Sequence, residues 1–323
     1  MIIKTPLRLS LVGGGSDLSY FYRKHDGSSL GFPIKFYNYI YISNLDSRLI
    51  KFVSDKENIE THDYKTIKNN ILRNVIAKFN INQKKIYIFS DLPYGTGLGS
   101  SSAMTVGLVK AISKIKDLDF DDNQIANEAY KIEKKASGST IGKQDHYMSS
   151  FGGVNLFTYK RDETTIIQNL KISNFDIDNI EKNLLLIRVG GIRNASEILH
   201  DQKTNLIHNE NKFRNMMSLV NFVPLVKNAL KKSNFKELGR LISETWELKK
   251  TFSKYISNSE IEKLYHYLQS NGIYGGKLLG AGQSGFFLAV CNPKVRKKII
   301  NDLPENRTID FNLDRKGSRI ILD

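Results

Sequence analysis

The chain has 323 residues, of which 40% are hydrophobic and 25% carry a charge, values typical of a folded globular protein. Its formal net charge of +15 is spread along the whole length. A nucleic-acid partner would require a concentrated basic patch, so we expect none, and the charge is better suited to attracting anionic small molecules. The single cysteine, Cys291, excludes a disulfide framework and a cysteine-based zinc site.

No segment approaches twenty consecutive apolar residues, and the N-terminus lacks the pattern of a signal peptide. We therefore expect a cytoplasmic protein without a membrane partner. The length favours two domains, although one large unit is possible. The order of the predicted elements places the boundary near residue 180, which divides the chain into residues 1–180 and 181–323. The oligomeric state, monomer or homodimer, is left open.

Hydrophobic periodicity and turn residues predict the elements in chain order. In the first part we expect a strand at 2–12, glycines at 13–15, a short helix at 18–24, strands at 34–43 and 49–53, a helix at 66–79, a strand at 85–90, helices at 103–115 and 123–135, a polar loop at 137–145 and a strand that starts at 152. In the second part we expect a strand at 184–189, a long helical region at 195–231, helices at 235–252 and 258–271, a glycine-rich loop at 275–285 and a strand at 286–290.

The most informative segment runs from Pro93 to Val109. Glycines at positions 95, 97 and 99 alternate with other residues, and three serines then precede an apolar helix. Glycines let the backbone turn its N–H groups inward, and the N-terminus of a helix favours anions, so the segment predicts a site for a nucleotide phosphate. A P-loop would require lysine where Ser100 stands, and a dinucleotide fingerprint has a different glycine spacing. An ordinary glycine-rich turn is the alternative.

Three glycine-rich motifs, at residues 5–18, 93–103 and 277–285, occur in this order along the chain. With them the chain resembles the family of galactokinase, homoserine kinase, mevalonate kinase and phosphomevalonate kinase, the GHMP kinases. The resemblance implies an α+β fold with two domains and an active site in the cleft between them. The N-terminal, ATP-binding domain would contain a left-handed β-α-β crossover, and the C-terminal domain would be ferredoxin-like.

Within this family the chain is most similar to kinases of D-glycero-D-manno-heptose 7-phosphate, which phosphorylate the anomeric hydroxyl. The glycines at 13–15 with Ser16 and Asp17, and the runs at 190–195 and 246–250, carry this similarity. The third motif departs from those relatives, which usually have glycine where this chain has Gln283 and Ser284.

The resemblance also implies roles for single residues. Asp145 would orient or deprotonate the acceptor hydroxyl, and Arg8 would keep that carboxylate ionised and stabilise charge on the moving phosphoryl group. ATP and Mg²⁺ would be required, with the metal held by Glu133 and Ser101, although the three serines leave a one-position ambiguity. From the residues alone, Asp145 could instead form an Asx turn, and Glu133 could be a surface charge.

Two further sets of residues follow from the same resemblance. The nucleotide-binding set comprises Pro93, Gly95, Thr96, Gly97, Leu98, Gly99, Ser100, Ser101 and Ser102. The substrate-binding set comprises Gly14, Gly15, Ser16, Asp17, Gly153, Arg193, Lys249, Lys250 and Gly282. Without the resemblance, Asp17 would be interpreted as a helix N-cap and the two lysines as solvated charges.

The sequence therefore predicts an ATP-dependent kinase that converts the heptose 7-phosphate to the 1,7-bisphosphate, in nucleotide-heptose biosynthesis for surface polysaccharide. Its partners would be small molecules, a sugar phosphate and ATP. One alternative is a kinase of an unphosphorylated sugar such as fucose or galactose. Another is a non-catalytic regulator that binds sugar or nucleotide, which is disfavoured because Arg8, Glu133 and Asp145 are all present.

Overall fold

The computed structural model describes residues 1–138, 140–190 and 195–323. Its strands are β1 (Ile2–Val12), β2 (Gly27–Asn44), β3 (Ile50–Val53), β4 (Asn58–Thr61), β5 (Lys84–Ser90), β6 (Asn155–Tyr159), β7 (Thr165–Asn169), β8 (Leu184–Val189), β9 (Gly275–Leu278), β10 (Gly285–Val290), β11 (Thr308–Ile309) and β12 (Arg319–Leu322). Its helices are α1 (Ser19–Tyr22), α2 (Asn70–Phe79), α3 (Ser100–Ile115), α4 (Asp122–Ser137), α5 (Gln144–Ser150), α6 (Asn174–Asn183), α7 (Ala195–His208), α8 (Glu210–Lys231), α9 (Phe235–Lys250), α10 (Ser259–Ser270) and α11 (Pro293–Asp302).

The first sheet is built around β2, which is antiparallel to β1 on one side and to β5 on the other. The strand order is β12-β1-β2-β5-β3-β4, and β6 pairs with the start of β2 while β7 pairs with β6. Strands β3 and β5 run parallel, and α2 lies in the connection that a parallel pair requires. Because β12 pairs with β1, the C-terminal end of the chain returns to the sheet in which the N-terminal end began.

Helix α3 is buried on nearly all sides, against β1 and β2 on one face and α4 and α5 on others. Gly107 lets the helix approach the sheet closely, because an added Cβ there would lie 2.6 Å from Ile40 Cδ1 and 2.7 Å from Thr5 Oγ1. Helix α4, which packs against it, begins with a capping box formed by Asp121 and Gln124. This packing fixes the N-terminal end of α3 beside β1.

The second sheet has the order β11-β8-β10-β9, with antiparallel neighbours throughout. In chain order these are the fourth, first, third and second strands, which is the arrangement of a ferredoxin-like fold. Helices α9 and α10 pack against β9, and α8 packs against α9. The α+β fold with a mixed first sheet and a small second sheet is thereby confirmed.

The two sheets share a hydrophobic core. Leu7 and Leu9 of β1 are fully buried in the same cluster as Leu186 of β8 and Leu288 of β10. Residue 180 lies within α6, which leads directly into β8, and β12 crosses back to the first sheet, so the division near residue 180 stays a prediction. The groups near the ends of β1 therefore face the second domain across a close contact.

Several predicted elements have different bounds in the structure; the strand expected at 34–43, for example, spans Gly27–Asn44 as β2. The helical region expected at 195–231 is interrupted at Asn209, whose side chain accepts a hydrogen bond from the Lys212 amide at 3.1 Å and starts a new helix, α8. The polar loop expected at 137–145 ends two residues early, because α5 begins at Gln144. Asp145 therefore lies in the first turn of a short helix.

Candidate active site

The glycine–serine loop enters α3 in the geometry of an anion site. Gly97 and Gly99 have φ values of 80° and 73°, in the left-handed region that favours glycine. The first helical hydrogen bond runs from the Ala103 amide to the Gly99 carbonyl at 2.9 Å. The amides of residues 100–102 precede that bond and have no acceptor inside the helix, so they can donate to a bound anion at the positive end of the helix dipole.

Arg8 and Asp145 form a two-point ion pair inside this site. Arg8 Nε lies 2.7 Å from Asp145 Oδ1, and Nη2 lies 2.6 Å from Oδ2. Arg8 Nη1 also donates to the Gly97 carbonyl at 2.6 Å, and an added Cβ at Gly99 would lie 3.0 Å from Arg8 Cγ. Arg8 is 3% exposed, so this charge-assisted geometry fixes both the carboxylate and the glycine–serine loop.

Glu133 extends from α4 toward the first turn of α3 and is buried. Burial raises the pKa of Glu133, but His146, Ser101 and Ser102 together outweigh that effect and hold the pKa below its ordinary value. His146 Nε2 lies 2.6 Å from Glu133 Oε2, yet Oε2 makes no hydrogen bond with favourable geometry. The result is a buried, ionised carboxylate beside the hydroxyls of Ser101 and Ser102.

These donors fit Mg²⁺, a hard cation that prefers carboxylate and hydroxyl oxygens and keeps several waters. Glu133 with Ser101 or Ser102 would supply the protein oxygens, whereas the Ser100 hydroxyl faces Asn38. No cluster of three or more histidine, cysteine, aspartate or glutamate side chains with metal-binding geometry occurs in the described part of the chain. A site of one carboxylate and one hydroxyl would depend on nucleotide phosphates for further ligands.

Asp17 is held at both carboxylate oxygens by backbone amides. Gly15 N donates to Oδ1 at 2.8 Å, and Gln144 N donates to Oδ2 at 3.0 Å. Burial raises the pKa of Asp17 and the charge of Asp145 raises it further, while these two hydrogen bonds oppose the shift, and the net pKa is raised. Asp17 is therefore a fixed acceptor beside Asp145, which suits recognition of sugar hydroxyls.

A cavity of about 300 Å³ joins these groups. The residues predicted from sequence that line it are Arg8, Gly14, Gly15, Asp17, Gly95, Gly97, Gly99, Ser100, Ser101, Ser102, Glu133, Asp145 and Lys249. Such a volume is at the lower end for sites of small molecules. The structure thus brings the proposed catalytic, metal-binding and sugar-binding groups to one cleft.

Other residues of the predicted nucleotide set support the loop instead of lining the cavity. Pro93 is exposed, and Leu98 is a core residue whose carbonyl accepts a hydrogen bond from the Arg8 amide at 2.9 Å. The Thr96 carbonyl lies 2.4 Å from the position of a Cβ added at Gly285. Only glycine therefore lets β10 of the second sheet approach this loop.

The predicted substrate set is divided in the same way. The Ser16 hydroxyl donates to the carbonyls of Gly13 and Ser28, at 2.8 and 2.9 Å, and so shapes the loop. The Gly153 amide donates to the Asp314 carbonyl at 2.9 Å, and a Cβ added at Gly282 would lie 2.7 Å from Ile256 Cα. These three residues do not line the cavity.

Lys249 and Lys250 diverge although they are adjacent in α9. Lys249 lines the cavity and donates to the Gly280 carbonyl at 2.5 Å. Lys250 instead pairs with Glu247 at 3.0 Å and Glu262 at 3.3 Å, away from the cavity. Arg193 lies outside the described residues.

Sequence reasoning missed groups that carry no motif of their own. Gly142 is required because an added Cβ there would lie 1.8 Å from Asp17 Oδ2. The side chain of Gln144 accepts a hydrogen bond from Ser10 Oγ at 2.9 Å, and that of His146 is fully buried beside Glu133. The proximity of Gly142, Gln144 and His146 to Asp145 in sequence was the available signal. Lys277 begins the third glycine-rich motif, but no role was predicted for its side chain, because lysines are usually solvated.

Two family models match the chain. The model described as GHMP kinases N terminal domain matches residues 65–153, and the model described as GHMP kinases C terminal matches residues 226–307. Together they span just over half of the chain. The first match contains the glycine–serine loop, Glu133 and Asp145, and the second contains Lys249.

Curated relatives match most of this chain. D-glycero-alpha-D-manno-heptose 7-phosphate kinase from Campylobacter jejuni is 29% identical, over 97% of this chain and 96% of its own. Bifunctional fucokinase/GDP-fucose pyrophosphorylase from Arabidopsis thaliana is 26% identical over 92% of this chain, which spans only 30% of that longer protein. A crystal structure of a D-glycero-D-manno-heptose 1-phosphate kinase from Bacteroides thetaiotaomicron has a TM-score of 0.81 and 25% identity, and the match covers 100% of this chain and 99% of that one.

Among the helices that the structure describes, none is both long enough and apolar enough to cross a membrane.

Proposed function

Because the chain belongs to the GHMP kinases, we propose that it uses ATP to phosphorylate the anomeric hydroxyl of D-glycero-D-manno-heptose 7-phosphate. The product would be the 1,7-bisphosphate, an intermediate of nucleotide-heptose biosynthesis for surface polysaccharide. The observation that carries the proposal is the Arg8–Asp145 pair, placed between the N-terminus of α3 and Asp17 in one cavity. This arrangement provides a phosphate site, a proton acceptor and a hydrogen-bond acceptor for sugar hydroxyls in one cavity.

The phosphate end of the reaction is assigned to the loop at 95–102. The amides of residues 100–102 would hold the phosphates of ATP, and Glu133 with Ser101 would hold Mg²⁺. The bound metal would neutralise charge on the β- and γ-phosphates during transfer. His146, Ser101 and Ser102 keep the pKa of Glu133 low despite burial, so the carboxylate is ionised at neutral pH.

The acceptor end of the reaction is assigned to Asp145, Arg8 and Asp17. The Arg8 guanidinium, at 2.6 and 2.7 Å, favours the ionised form of Asp145, which would accept the proton of the anomeric hydroxyl. The hydroxyl oxygen would form a bond to the γ-phosphorus of ATP while the bond from that phosphorus to the β,γ-bridging oxygen breaks and ADP leaves. Arg8 would also stabilise negative charge on the phosphoryl group, since it reaches the Gly97 carbonyl in the phosphate loop. Asp17 would accept hydrogen bonds from ring hydroxyls of the sugar.

Two lines of support favour a heptose 7-phosphate. The Campylobacter jejuni relative of that name and the Bacteroides thetaiotaomicron heptose phosphate kinase both match essentially the whole chain. In addition, Lys249, a cation on α9 of the second domain, lines the same cavity as Asp17. A positive group there suits a sugar that carries its own phosphate.

An ADP-release assay over sugars and sugar phosphates tests the proposal. We expect turnover with D-glycero-D-manno-heptose 7-phosphate, and phosphorus NMR should place the new phosphate on the anomeric carbon. Equal kcat/KM for the free heptose would remove the requirement for the second phosphate. Absence of ADP release with every sugar would instead support a non-catalytic binding protein.

The second candidate is a kinase of an unphosphorylated sugar such as fucose or galactose. The Arabidopsis thaliana relative, whose name includes fucokinase, favours it, because the match covers 92% of this chain. The same assay separates the two candidates, since this reading requires faster turnover of fucose or galactose than of any sugar phosphate.

A further inference from the structure

Lys277 is a buried cation that the proposed mechanism does not use. It lies in β9 and is 7% exposed. Within residues 1–138, 140–190 and 195–323, its ammonium group donates no hydrogen bond and pairs with no carboxylate. Burial lowers the pKa of Lys277 well below its ordinary value, and repulsion from Lys249 and Arg8 lowers it further. The free energy of burying an unpaired ammonium group is unfavourable, so an anion bound at this position would stabilise it.

The nearby carboxylates already have hydrogen-bond partners. Asp145 is bound at both oxygens by Arg8, and Asp17 is bound at both oxygens by backbone amides. Lys249 donates to the Gly280 carbonyl, on the loop that follows β9. Three cationic side chains, Arg8, Lys249 and Lys277, therefore face the same region.

Lys277 lines a small recess that opens onto the main cavity. The recess has room of about 20 Å³ and is lined, among others, by Ser10, Gly14, Gln144 and Thr245. It shares Arg8, Gly14, Gln144, Lys249 and Gly280 with the main cavity. A space of this size admits a single oxygen atom, so a bound phosphate would lie at the opening of the recess with one of its oxygens inside.

The chemistry of the recess selects an anion. The Gln144 carbonyl oxygen accepts from Ser10 Oγ at 2.9 Å, while its Nε2 lies 2.9 Å from where a Cβ of Gly14 would be. The amide thus presents its donor side toward the glycine loop. Together with Lys277 it forms a site of donors, and among the described lining residues no carboxylate is present.

We propose that this recess binds the phosphate that the acceptor sugar already carries, with Lys277 as its principal cation. The inference rests on the proposed function, because it specifies where the second phosphate of a sugar 7-phosphate is held. The γ-phosphate of ATP is a second possible source of the same chemistry. The recess favours the sugar, because it is lined by the glycine loop at 13–14 and by α9, and not by residues 95–102.

The test is a matched comparison of two sugars and two variants. Lys277→Met keeps an unbranched side chain of similar length and removes the charge, and Lys236→Met removes an exposed lysine from the first turn of α9 as the control. Calorimetric Kd values for heptose 7-phosphate and for free heptose, and KM for ATP, are measured for each protein. We expect Lys277→Met to weaken the 7-phosphate about 10- to 100-fold, and free heptose and ATP less than about twofold.

The outcomes separate the two proposals. If the wild-type protein releases no ADP with heptose 7-phosphate, both the proposed function and this inference fail. If it does, an unchanged Kd for the 7-phosphate in Lys277→Met, or an equal loss for both sugars, overturns the inference alone. A raised KM for ATP without a loss of sugar affinity would assign Lys277 to the γ-phosphate. Thermal unfolding establishes that each variant is folded, and Lys277→Gln replaces the Met variant if that one is not.

Discussion

The carboxylate of Asp17 occupies the space that a side chain at residue 142 would fill, since an added Cβ at Gly142 would lie 1.8 Å from Asp17 Oδ2. The same carboxylate accepts its second hydrogen bond from the amide of Gln144. The position of Asp17, the proposed hydrogen-bond acceptor for the sugar, therefore depends on the absence of a side chain at Gly142.

We expect Gly142→Ala to raise KM for the sugar at least tenfold, because the methyl group must displace Asp17 from both backbone donors. The overlap should also destabilise the fold by roughly 1–3 kcal/mol, as overpacking does in tight sites. Steady-state kinetics and thermal unfolding measure the two effects. A variant with the wild-type KM for the sugar would show that Asp17 does not contact the substrate.

Replacement of Asp145 by alanine should abolish phosphoryl transfer and leave ATP binding within about threefold of the wild type. The carboxylate is proposed to act on the acceptor hydroxyl, a role worth roughly 10²- to 10⁴-fold in rate. Single-turnover kinetics and calorimetry with an ATP analogue measure the two quantities.

Asp145→Asn serves as the matched variant, because it keeps the shape and loses the charge that pairs with Arg8. Turnover of the asparagine variant within tenfold of the wild type would remove Asp145 from proton transfer.

Glu133→Gln should raise the Mg²⁺ concentration at which nucleotide binding is half-maximal by about tenfold or more. The reason is that a neutral amide is a weaker ligand for a hard cation than a carboxylate. A fluorescent ATP analogue titrated with Mg²⁺ reports this without turnover, and removal of the metal by a chelator should give the same weak binding.

Ser101→Ala and Ser102→Ala discriminate between the two hydroxyls beside Glu133. The serine that binds the metal should reproduce the shift of Glu133→Gln in part. Ser100→Ala is the control, because its hydroxyl faces Asn38. A Mg²⁺ dependence that none of these changes affects would contradict a metal site at Glu133.

Local signals explain which parts of the fold the sequence could predict. The glycine–serine loop and α3 were predictable, because positive φ at glycine and serines at a helix start depend on neighbouring residues. Strand β12 was missed, since four residues near the end of the chain give no local indication that they pair with β1. The break at Asn209 was missed because helical periodicity continues on both sides of a capping residue.

The candidate site shows the same limit in its side chains. Arg8 and Asp145 are 137 residues apart, and only the family resemblance, not the spacing, related them. Lys249 and Lys250 could not be distinguished from sequence, because their orientation depends on how α9 packs against Gly280 and Glu262. The burial of Lys277 depends on the contact between the two domains.

Gln283, in the third glycine-rich motif, has a φ of 62°, which lies in the left-handed region. A side chain in that conformation costs about 1 kcal/mol. The backbone amide of Gln283 donates to the Ile256 carbonyl at 3.0 Å, and its backbone carbonyl accepts from Asn258 Nδ2 at 3.0 Å. Because both contacts use backbone atoms, they are retained when Gln283 is replaced by glycine. We expect Gln283→Gly to raise the free energy of unfolding by about 0.5–1 kcal/mol in urea denaturation.

Gln283→Ala retains the Cβ and is the matched control, with no gain expected. Equal stability of the glycine and alanine variants would show that backbone conformation is not what limits this loop.

The burial of Lys277 should also be visible in how stability depends on pH. Its pKa in the folded chain lies well below the ordinary value because of burial and repulsion from Lys249 and Arg8, whereas in the unfolded chain it is about 10.4. The unfolded state therefore binds more protons between those two values, so this lysine makes wild-type stability rise with pH across that window. Lys277→Met removes the contribution, and its stability relative to the wild type should fall as the pH is raised toward about 10.

Urea denaturation over this pH range measures the difference, with the exposed Lys236→Met as the control. Parallel pH profiles for the wild type and Lys277→Met would mean that the ammonium group is not desolvated in the folded protein.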